Sequence, residues 1–561
     1  MLYRTHNCGE LNIKYIGKKV ILSGWVNNIR RIRLKTFIDL RDYFGITQLI
    51  FDNNKFNIFL KKITKESVIN IKGIVFKRIK NNLSLKTGEI EIIVNECFLI
   101  NKSYSLPLDL NKLEKEKEKI KMKYRYLLIR KDKLKNNLII RNETTLKTRF
   151  FFYKKGFLEV ETPLLIKSTP EGARDFLIPS RIYSGKYYSL PQSPQFFKQL
   201  LIIGGIDKYF QIAKCFRDED LRSNRQPEFS QIDLEMAFIN ENDIINIINS
   251  YIIYIFKKII KINLPKLFPI ISYKESIDKY GTEKPDISFN LKISYLYKKL
   301  NKNLLIDNIE FNFFFSIPIF NNENIINEII YLLNKLKIKN FIWIKDKKSS
   351  FKNIFKYLNN KEINILLNNK LNNLLLIISG DNNIKFKKKL GLFRIKLSKI
   401  IKIKKKFAPV WINNFPLFKK EKEIYKSFHH PFTSPKDEDI ILLNNNNFKN
   451  FEKLKSKAYD LIINGNEIGS GSIRINKKEL QKKIFKIIGL SKKKINNKFQ
   501  FLIEALSYGA PPHGGIAIGL DRLLSLFNND NNNNIENENI KNFIAFPKNN
   551  SMKDLMIGAP C

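Results

Sequence analysis

YFQIAKCFRDEDLRSNRQPEFSQIDLE, residues Tyr209 to Glu235, flanks a densely charged centre with two apolar ends. Alternating apolar residues at its two ends give two strands. Between them lies a loop holding Arg217, Asp218, Glu219, Asp220, Arg222, Arg225, Gln226 and Glu228. Charges of both signs held over a sheet suit a partner that is itself charged, such as a nucleoside triphosphate or an RNA end. A salt-bridged surface hairpin would carry the same composition, so the neighbouring segments must decide.

Upstream, QSPQFFKQLL starts a helix after Pro194, with Gln195 and Lys198 three residues apart on one face. An amide beside an ammonium can meet a small zwitterion with an acidic side chain, although surface helices also carry this pair. STPEGARDF, from Ser168 to Phe176, is a Gly- and Pro-bearing loop with Glu171, Arg174 and Asp175. Downstream, AYDLIINGNEIGSGSIRI, from Ala458 to Ile475, has an Asn-Gly turn between two β runs and reads as a hairpin. It supplies Asp460 and Glu467, hard carboxylates of the kind Mg²⁺ uses, and Arg474, a guanidinium able to clamp a carboxylate bidentately. His429 and His430 stand together in the loop FHHPFTSPK, where a polar surface role is the plain alternative. GGIAIGLDRLLSLF, from Gly514 to Phe527, is a strand running into a helix through Gly519, Leu520, Asp521 and Arg522.

At 561 residues the chain predicts about three domains. The formal net charge of +47 is compatible with RNA binding. Lys, Ile and Asn crowd every region, however, so the charge marks no particular RNA site. Cys8, Cys97, Cys215 and Cys561 form no CxxC pair, which argues against a zinc site or disulfide framework and for a reducing, cytoplasmic setting. The N-terminus lacks the apolar core of a signal peptide. The apolar run from Ile244 to Phe256 is broken by Asn246, Asn249 and Ser250, and predicts a buried helix and no membrane span.

Between Lys19 and Ile100, five β-rich runs with one helix-like segment, Asn54 to Lys65, outline an OB-fold. Arg30, Arg31 and Arg33 beside Phe37 put phosphate-binding charge next to a stacking ring, as a solvated basic loop also would. Leu110 to Lys123 reads as a charged hinge helix. Lys133 to Phe152 reads as a helix that Gly156 ends before the strand FLEVETPLL.

The phrases FRDED and RQPEF closely resemble motif 2 of the class II aminoacyl-tRNA synthetases, in the wording of bacterial-type aspartyl enzymes. The helix, strand and Pro163 resemble motif 1, and the run Gly519 to Arg522 resembles motif 3, in the same order. The resemblance implies an α+β multidomain protein: an N-terminal OB-fold β-barrel and a class II antiparallel-sheet catalytic domain with an inserted α/β domain. The implied divisions are 1–105 for the anticodon-binding barrel, 106–130 for a hinge, 131–285 and 406–561 for the catalytic domain, and 286–405 for the insert.

It further implies that L-aspartate is activated with ATP and Mg²⁺ to aspartyl-adenylate and passed to the 3′ end of tRNA(Asp), by a homodimer. Glu171, Ser193, Gln195, Lys198, Arg217, Asp233, His429 and Arg474 are expected at the aspartate. Arg217, Asp218, Glu219, Gln226, Phe229, Glu467, Gly519, Leu520, Asp521 and Arg522 are expected at ATP, with Arg217 and Arg522 catalytic. Asp460 and Glu467 are expected at the metal, and Arg30, Phe37 and Gln48 at the anticodon. The loop NNIRRIRLK departs from the family's usual run of three arginines. An enzyme that also charges tRNA(Asn), and a non-catalytic RNA-binding remnant, stay open as alternatives. Arg474→Leu is expected to abolish aspartate use without unfolding the protein.

Overall fold

The structure, a computed structural model, describes residues 2–110, 112–168, 172–222, 224–318, 323–345, 348–350, 354–367, 373–403, 406–444, 450–527 and 539–560. Glu171, the tract Asn531 to Asn534 and Cys561 lie outside the described residues. The chain forms two compact units, Met1–Tyr124 and Arg125–Cys561.

In the first unit, β1 (Lys19–Ile32), β2 (Lys35–Arg41), β3 (Ile46–Asp52), β4 (Val68–Lys77) and β5 (Ile90–Asn101) close a barrel in the order β1-β2-β3-β5-β4. Helix α1 (Asn53–Lys62) occupies the predicted slot after β3, and Asp52 caps it by accepting from the Asn54 N–H. Alternation along the strands puts Val20, Leu22, Ile38, Leu40, Leu49, Phe51, Ile69 and Ile71 inside. The run expected to be one hinge helix is instead a 3-10 turn at Leu113–Lys115 and the short α2 (Glu118–Lys123). Its sequence has no apolar stripe to bury, and among α2 residues only Met122 is buried, so little packing supports a longer helix.

The second unit opens with α3 (Arg125–Leu128) and α4 (Asp132–Lys154), then β6 (Leu158–Glu159) and the hairpin β7 (Leu177–Pro179) and β8 (Tyr187–Ser189). Next come α5 (Gln195–Ile203), β9 (Lys208–Phe216), β10 (Glu228–Ala237), α6 (Glu241–Ile255), β11 (Ile270–Ser272) and α7 (Tyr273–Tyr280). The predicted strand FLEVETPLL contributes only the two residues of β6, since Pro163 cannot donate to a ladder. Asn240 and Asp243 form a capping box at the start of α6, and Ile244, Ile245, Ile248, Tyr251, Ile252 and Ile255 bury its apolar face. Among the described residues no helix is long and apolar enough to cross a membrane.

A separate sheet then interrupts the main one. This region runs through β12 (Ser294–Tyr295), α8 (Leu296–Leu300), the separate hairpin β13 (Leu304–Ile306) and β14 (Ile309–Phe311), β15 (Phe313–Pro318), α9 (Glu323–Lys335), β16 (Phe341–Lys345), β17 (Lys348–Ser349), α10 (Asn360–Leu366), β18 (Asn373–Ile378) and α11 (Ile384–Ile400). The five-stranded order is β12-β15-β18-β16-β17. Its central strand β18 is buried on both faces, Leu374, Leu376 and Ile378 packing on one core and Leu375 and Ile377 on another. That explains the unbroken apolar run LLLII.

The main sheet resumes with β19 (Pro409–Asn413), the hairpin β20 (Phe418–Glu421) and β21 (Ile424–Ser427), and α12 (Asp437–Asn444). There follow β22 (Ala458–Ile463), β23 (Asn466–Ile473), α13 (Lys478–Ile487), α14 (Lys492–Ala505), β24 (His513–Gly519) and α15 (Leu520–Ser525). Its order is β11-β19-β22-β23-β24-β10-β9-β6, antiparallel through the centre and parallel in the pairs at its two edges. The Asn-Gly turn predicted between β22 and β23 has positive φ at both Asn464 and Gly465, the geometry of a type I′ hairpin.

Candidate active site

The central strands sort their residues by face. Ile232, Leu234, Ile516, Ile518, Tyr459 and Leu461 pack with α6 in the main core. On the opposite face, register places Asp233 beside Ala517, Ala517 beside Ser470 and Ser470 beside Asp460. The next row runs Glu235, Gly515, Ser472 and Ala458. Small residues beside each carboxylate leave room above the sheet. At Gly515 glycine is required by space: a Cβ there would overlap the Leu234 carbonyl and Glu235 Oε2.

A cavity of about 190 Å³ lies over this face. Of the residues expected at aspartate, Ser193, Gln195, Lys198, Arg217, Asp233, His429 and Arg474 line it. Of those expected at ATP, Arg217, Glu219, Gln226, Phe229, Glu467, Gly519, Asp521 and Arg522 do so. One cleft thus collects side chains from five separated segments of the chain.

The floor is an ion network. Lys198 Nζ lies 2.8 Å from Asp233 Oδ1 and 3.2 Å from Glu235 Oε2. Arg474 donates to Glu235 through Nε at 2.8 Å and Nη2 at 3.2 Å, and through Nη1 to Ser472 Oγ at 2.8 Å. Burial opposes ionisation of Glu235, but Arg474 and Lys198 outweigh it and hold the carboxyl down at about 2. Burial dominates at Asp233, whose carboxyl is raised despite Lys198. Asp233 Oδ2 is buried with no hydrogen-bond partner. Sequence reading missed Glu235, although the i, i+2 spacing from Asp233 put it on the same face.

Both histidines of the FHH phrase line the cavity. His430 Nε2 accepts from Arg474 Nη1 at 2.6 Å, and burial, then Arg474, keep this imidazole neutral by lowering it well below its ordinary value. At His429 burial pulls the other way from Asp460, Glu467 and Glu283, which together raise it; Nε2 sits 3.7 Å from Asp460 Oδ2.

Arg217 lies with its guanidinium carbon 5.1 Å from the Phe229 ring centre, and its buried Nε has no hydrogen-bond partner. Arg522 Nη1 sits 3.5 Å from Glu467 Oε1. Asp460 Oδ1 is buried without a partner, and Glu467 faces the cavity. Two hard oxygen donors with one orphaned atom suit Mg²⁺, which takes one or two carboxylates and fills its remaining positions from water and phosphate. Among the described residues no cluster of three or more His, Cys, Asp or Glu forms a complete metal cage.

Some of the expected site residues are also bonded or packed within the protein. Leu520 does not line the cavity; its side chain is buried in the main core and holds α15 on the sheet. Asp218 does not line the cavity; its N–H bonds the Arg174 carbonyl. Gln226 spends its amide on the backbone of Lys548, accepting at 2.8 Å and donating at 3.3 Å. Asp521 is tied to Arg141 and to the Ser230 N–H at 2.9 Å. These two residues brace the walls. Arg141, from the middle of the motif 1 helix α4, was not singled out, because nothing in the helix's local pattern marks it as a partner of Asp521.

On the barrel, Arg30 pairs across strands with Phe37, and Asp39 with Gln48. Arg30 Nη2 donates to Asp39 at 2.9 Å and to Gln48 Oε1 at 3.0 Å. Gln48 also accepts from Arg78 and donates to Glu91 at 2.9 Å. The three expected anticodon residues therefore share one polar patch, to which the structure adds Arg78.

Comparison with known proteins agrees in extent and kind. The family "tRNA synthetases class II (D, K and N)" matches residues 117–550, and "OB-fold nucleic acid binding domain" matches residues 20–100. The chain is 43% identical to the aspartate–tRNA(Asp/Asn) ligase of Dictyoglomus turgidum, over 99% of this chain and 95% of that one. It is 41% identical to the aspartate–tRNA ligase of Flavobacterium psychrophilum, over 100% and 97%. Asparaginyl-tRNA synthetase from Pyrococcus horikoshii, solved with asparaginyl-adenylate, superposes with a TM-score of 0.61 at 20% identity, covering 98% of both chains. The sheet, the cleft and the full-length similarity together place this chain in the class II tRNA synthetases of the D, K and N group.

Proposed function

We propose that this protein is an aspartate–tRNA ligase. The observation that carries the reading is a complementary pair of unsatisfied atoms in one cleft: Asp233 Oδ2, an acceptor, and Arg217 Nε, a donor. Buried polar atoms are normally bonded. An acceptor for an ammonium and a donor for a phosphate or carboxylate oxygen describe an amino acid joined to a phosphoryl group.

The aspartate α-carboxylate attacks the α-phosphorus of ATP, forming the acyl phosphate bond of aspartyl-adenylate and expelling pyrophosphate. A terminal ribose hydroxyl of tRNA then attacks the acyl carbon, giving aspartyl-tRNA and AMP. Neither step needs a protein nucleophile, so the side chains act by positioning and by neutralising developing charge. Asp233 receives the substrate ammonium. Lys198 and Arg474, the buried cations of the floor, receive its side-chain carboxylate, which an asparagine amide could not replace in charge. Arg217 meets the α-phosphate, Phe229 stacks on adenine, and Arg522 meets the terminal phosphate. Asp460 and Glu467 would hold Mg²⁺, which supplies charge neutralisation on the triphosphate.

The divisions at 1–105, 106–130, 131–285, 286–405 and 406–561 are retained as functional domains, with Arg30, Phe37 and Gln48 reading the anticodon. Exposed Leu146, Phe150 and Tyr153, at i, i+4 and i+7 of α4, support a homodimer across that helix. Among the described residues Cys8, Cys97 and Cys215 stand outside any disulfide, which supports a cytoplasmic enzyme. Charging of tRNA(Asn) as well is the second reading, favoured by the (Asp/Asn) name of the Dictyoglomus relative.

Aspartate-dependent ATP–pyrophosphate exchange without tRNA tests the assignment. Exchange with aspartate and none with asparagine or lysine is expected. No exchange from folded protein with Mg²⁺ would favour an RNA-binding remnant, whereas after positive exchange the charging of purified tRNA(Asp) and tRNA(Asn) separates the two tRNA ranges.

A further inference from the structure

We propose that Lys284 is a placeholder cation for Glu467, occupying the nucleotide-site carboxylate until ATP arrives with its own metal. The inference rests on the reading of Glu467 as a metal and nucleotide residue. Lys284 Nζ sits 2.7 Å from Glu467 Oε2, while Glu467 Oε1 faces Arg522 at 3.5 Å. One carboxylate therefore lies between two cations, and the nearer of them, an ammonium, holds one of its two oxygens. Lys284 does not line the cavity itself and is 40% exposed, so it can withdraw to solvent without leaving a void.

Its backbone is fixed, which makes the pairing a built feature. Lys284 N–H donates to Thr282 Oγ1 at 3.1 Å, and the Thr282 carbonyl accepts from Ser276 Oγ at 2.6 Å. Asp286 closes the following turn by accepting from the Ser288 N–H at 3.0 Å. Arg394, wholly buried on α11, donates to the carbonyls of Asp286 and Leu291 and lies 4.1 Å from the Phe289 ring centre. The last helix of the five-stranded subdomain thus pins the segment that delivers Lys284. Gly281 and Gly391 meet there so closely that a Cβ on Gly281 would strike the Lys387 carbonyl. The interrupting subdomain accordingly sets the position of one side chain at the nucleotide site.

A resident ammonium and an incoming divalent cation compete for the same oxygen. Removing the lysine should therefore expose Glu467 to free metal. Titration of the full-length protein with Mn²⁺ alone, read by electron paramagnetic resonance, tests this directly. Lys284→Ala and the closer isostere Lys284→Gln should each bind Mn²⁺ about fivefold more tightly than the wild type, the effect of one partly exposed ion pair. Lys284→Arg should behave as wild type, and Lys279→Ala, which deletes a lysine that pairs with Glu275 on α7, should change nothing. Adding Glu467→Gln should erase the gain. Unchanged or weaker Mn²⁺ binding in both neutral variants overturns the proposal. The underlying reading has a separate test in the same assay: wild type with ATP should bind Mn²⁺ and Glu467→Gln with ATP should bind it more weakly. If those two agree, the assignment of Glu467 fails, whatever Lys284 does.

Discussion

Glu235→Gln removes one charge from the floor of the cleft and almost no volume. In the wild type, Glu235 accepts two of the Arg474 hydrogen bonds and stands 3.2 Å from Lys198, with its side chain wholly buried. The variant leaves Arg474 and Lys198 facing Asp233 alone, and an uncompensated buried cation costs about 3 to 5 kcal/mol. A carboxyl held at about 2, against an ordinary 4.5, contributes about 3 kcal/mol by linkage, in agreement. A depressed carboxyl stabilises the fold above its unfolded value and loses that contribution as pH falls through the folded value. The gap between wild type and variant should be constant above about pH 5 and narrow by about 1.4 kcal/mol per unit below pH 4.5.

The assay can be made local, because Trp25, Trp343 and Trp411 lie in the barrel, the five-stranded sheet and the main sheet respectively. A Trp25→Phe, Trp343→Phe background reports the main sheet through Trp411, which is buried and donates to Asn249. Urea unfolding followed by that fluorescence should show the loss. A change below about 1 kcal/mol at pH 7 would refute the network as an energetic unit.

Arg217→Ala should cut aspartate-dependent pyrophosphate exchange at least ~100-fold with unfolding unchanged, and near-normal exchange would remove the phosphate role from Arg217. Arg474→Leu should abolish aspartate binding and also destabilise the main sheet by about 3 kcal/mol, because Glu235 loses its bidentate partner; calorimetry and the Trp411 signal check the two halves. Gly515→Ala should cost about 2 to 3 kcal/mol in the same unfolding assay, since the methyl group has no space above Leu234. Gln48→Ala should raise the KM for tRNA in charging while leaving exchange without tRNA unaltered; an equal loss in both would detach the barrel patch from anticodon reading.

The sequence made the barrel legible because five β-rich runs and a helix in the right slot leave few other arrangements. The two strands around FRDED and the Asn-Gly hairpin were legible for the same reason, since local pattern and final structure agree there. What a side chain does once inside was less legible. Gln226 and Asp521 belong to motif phrases, yet they bond the Lys548 backbone and Arg141, partners more than 300 residues away along the chain. Leu520 sits in a functional phrase and serves the core. Arg474→Leu looked harmless to the fold because nothing in the sequence announces that Arg474 and Glu235 meet across 239 positions. Long-range ion pairs between buried groups leave no local periodic trace.

The pairing of β10 with β24 joins residues 228–237 to 513–519 at the centre of the main sheet. Closing a loop of that length slows folding, because chain entropy is lost before the contacts form. The five-stranded subdomain in between has its own cores on both faces of its sheet and can collapse first, shortening the effective loop. On the ribosome, the barrel and that subdomain can be ordered while β10 still exposes Asp233 and Glu235. β24 lies between β10 and β23, so the two halves of the floor, Glu235 and Arg474, are brought into register only by the last strand to be made.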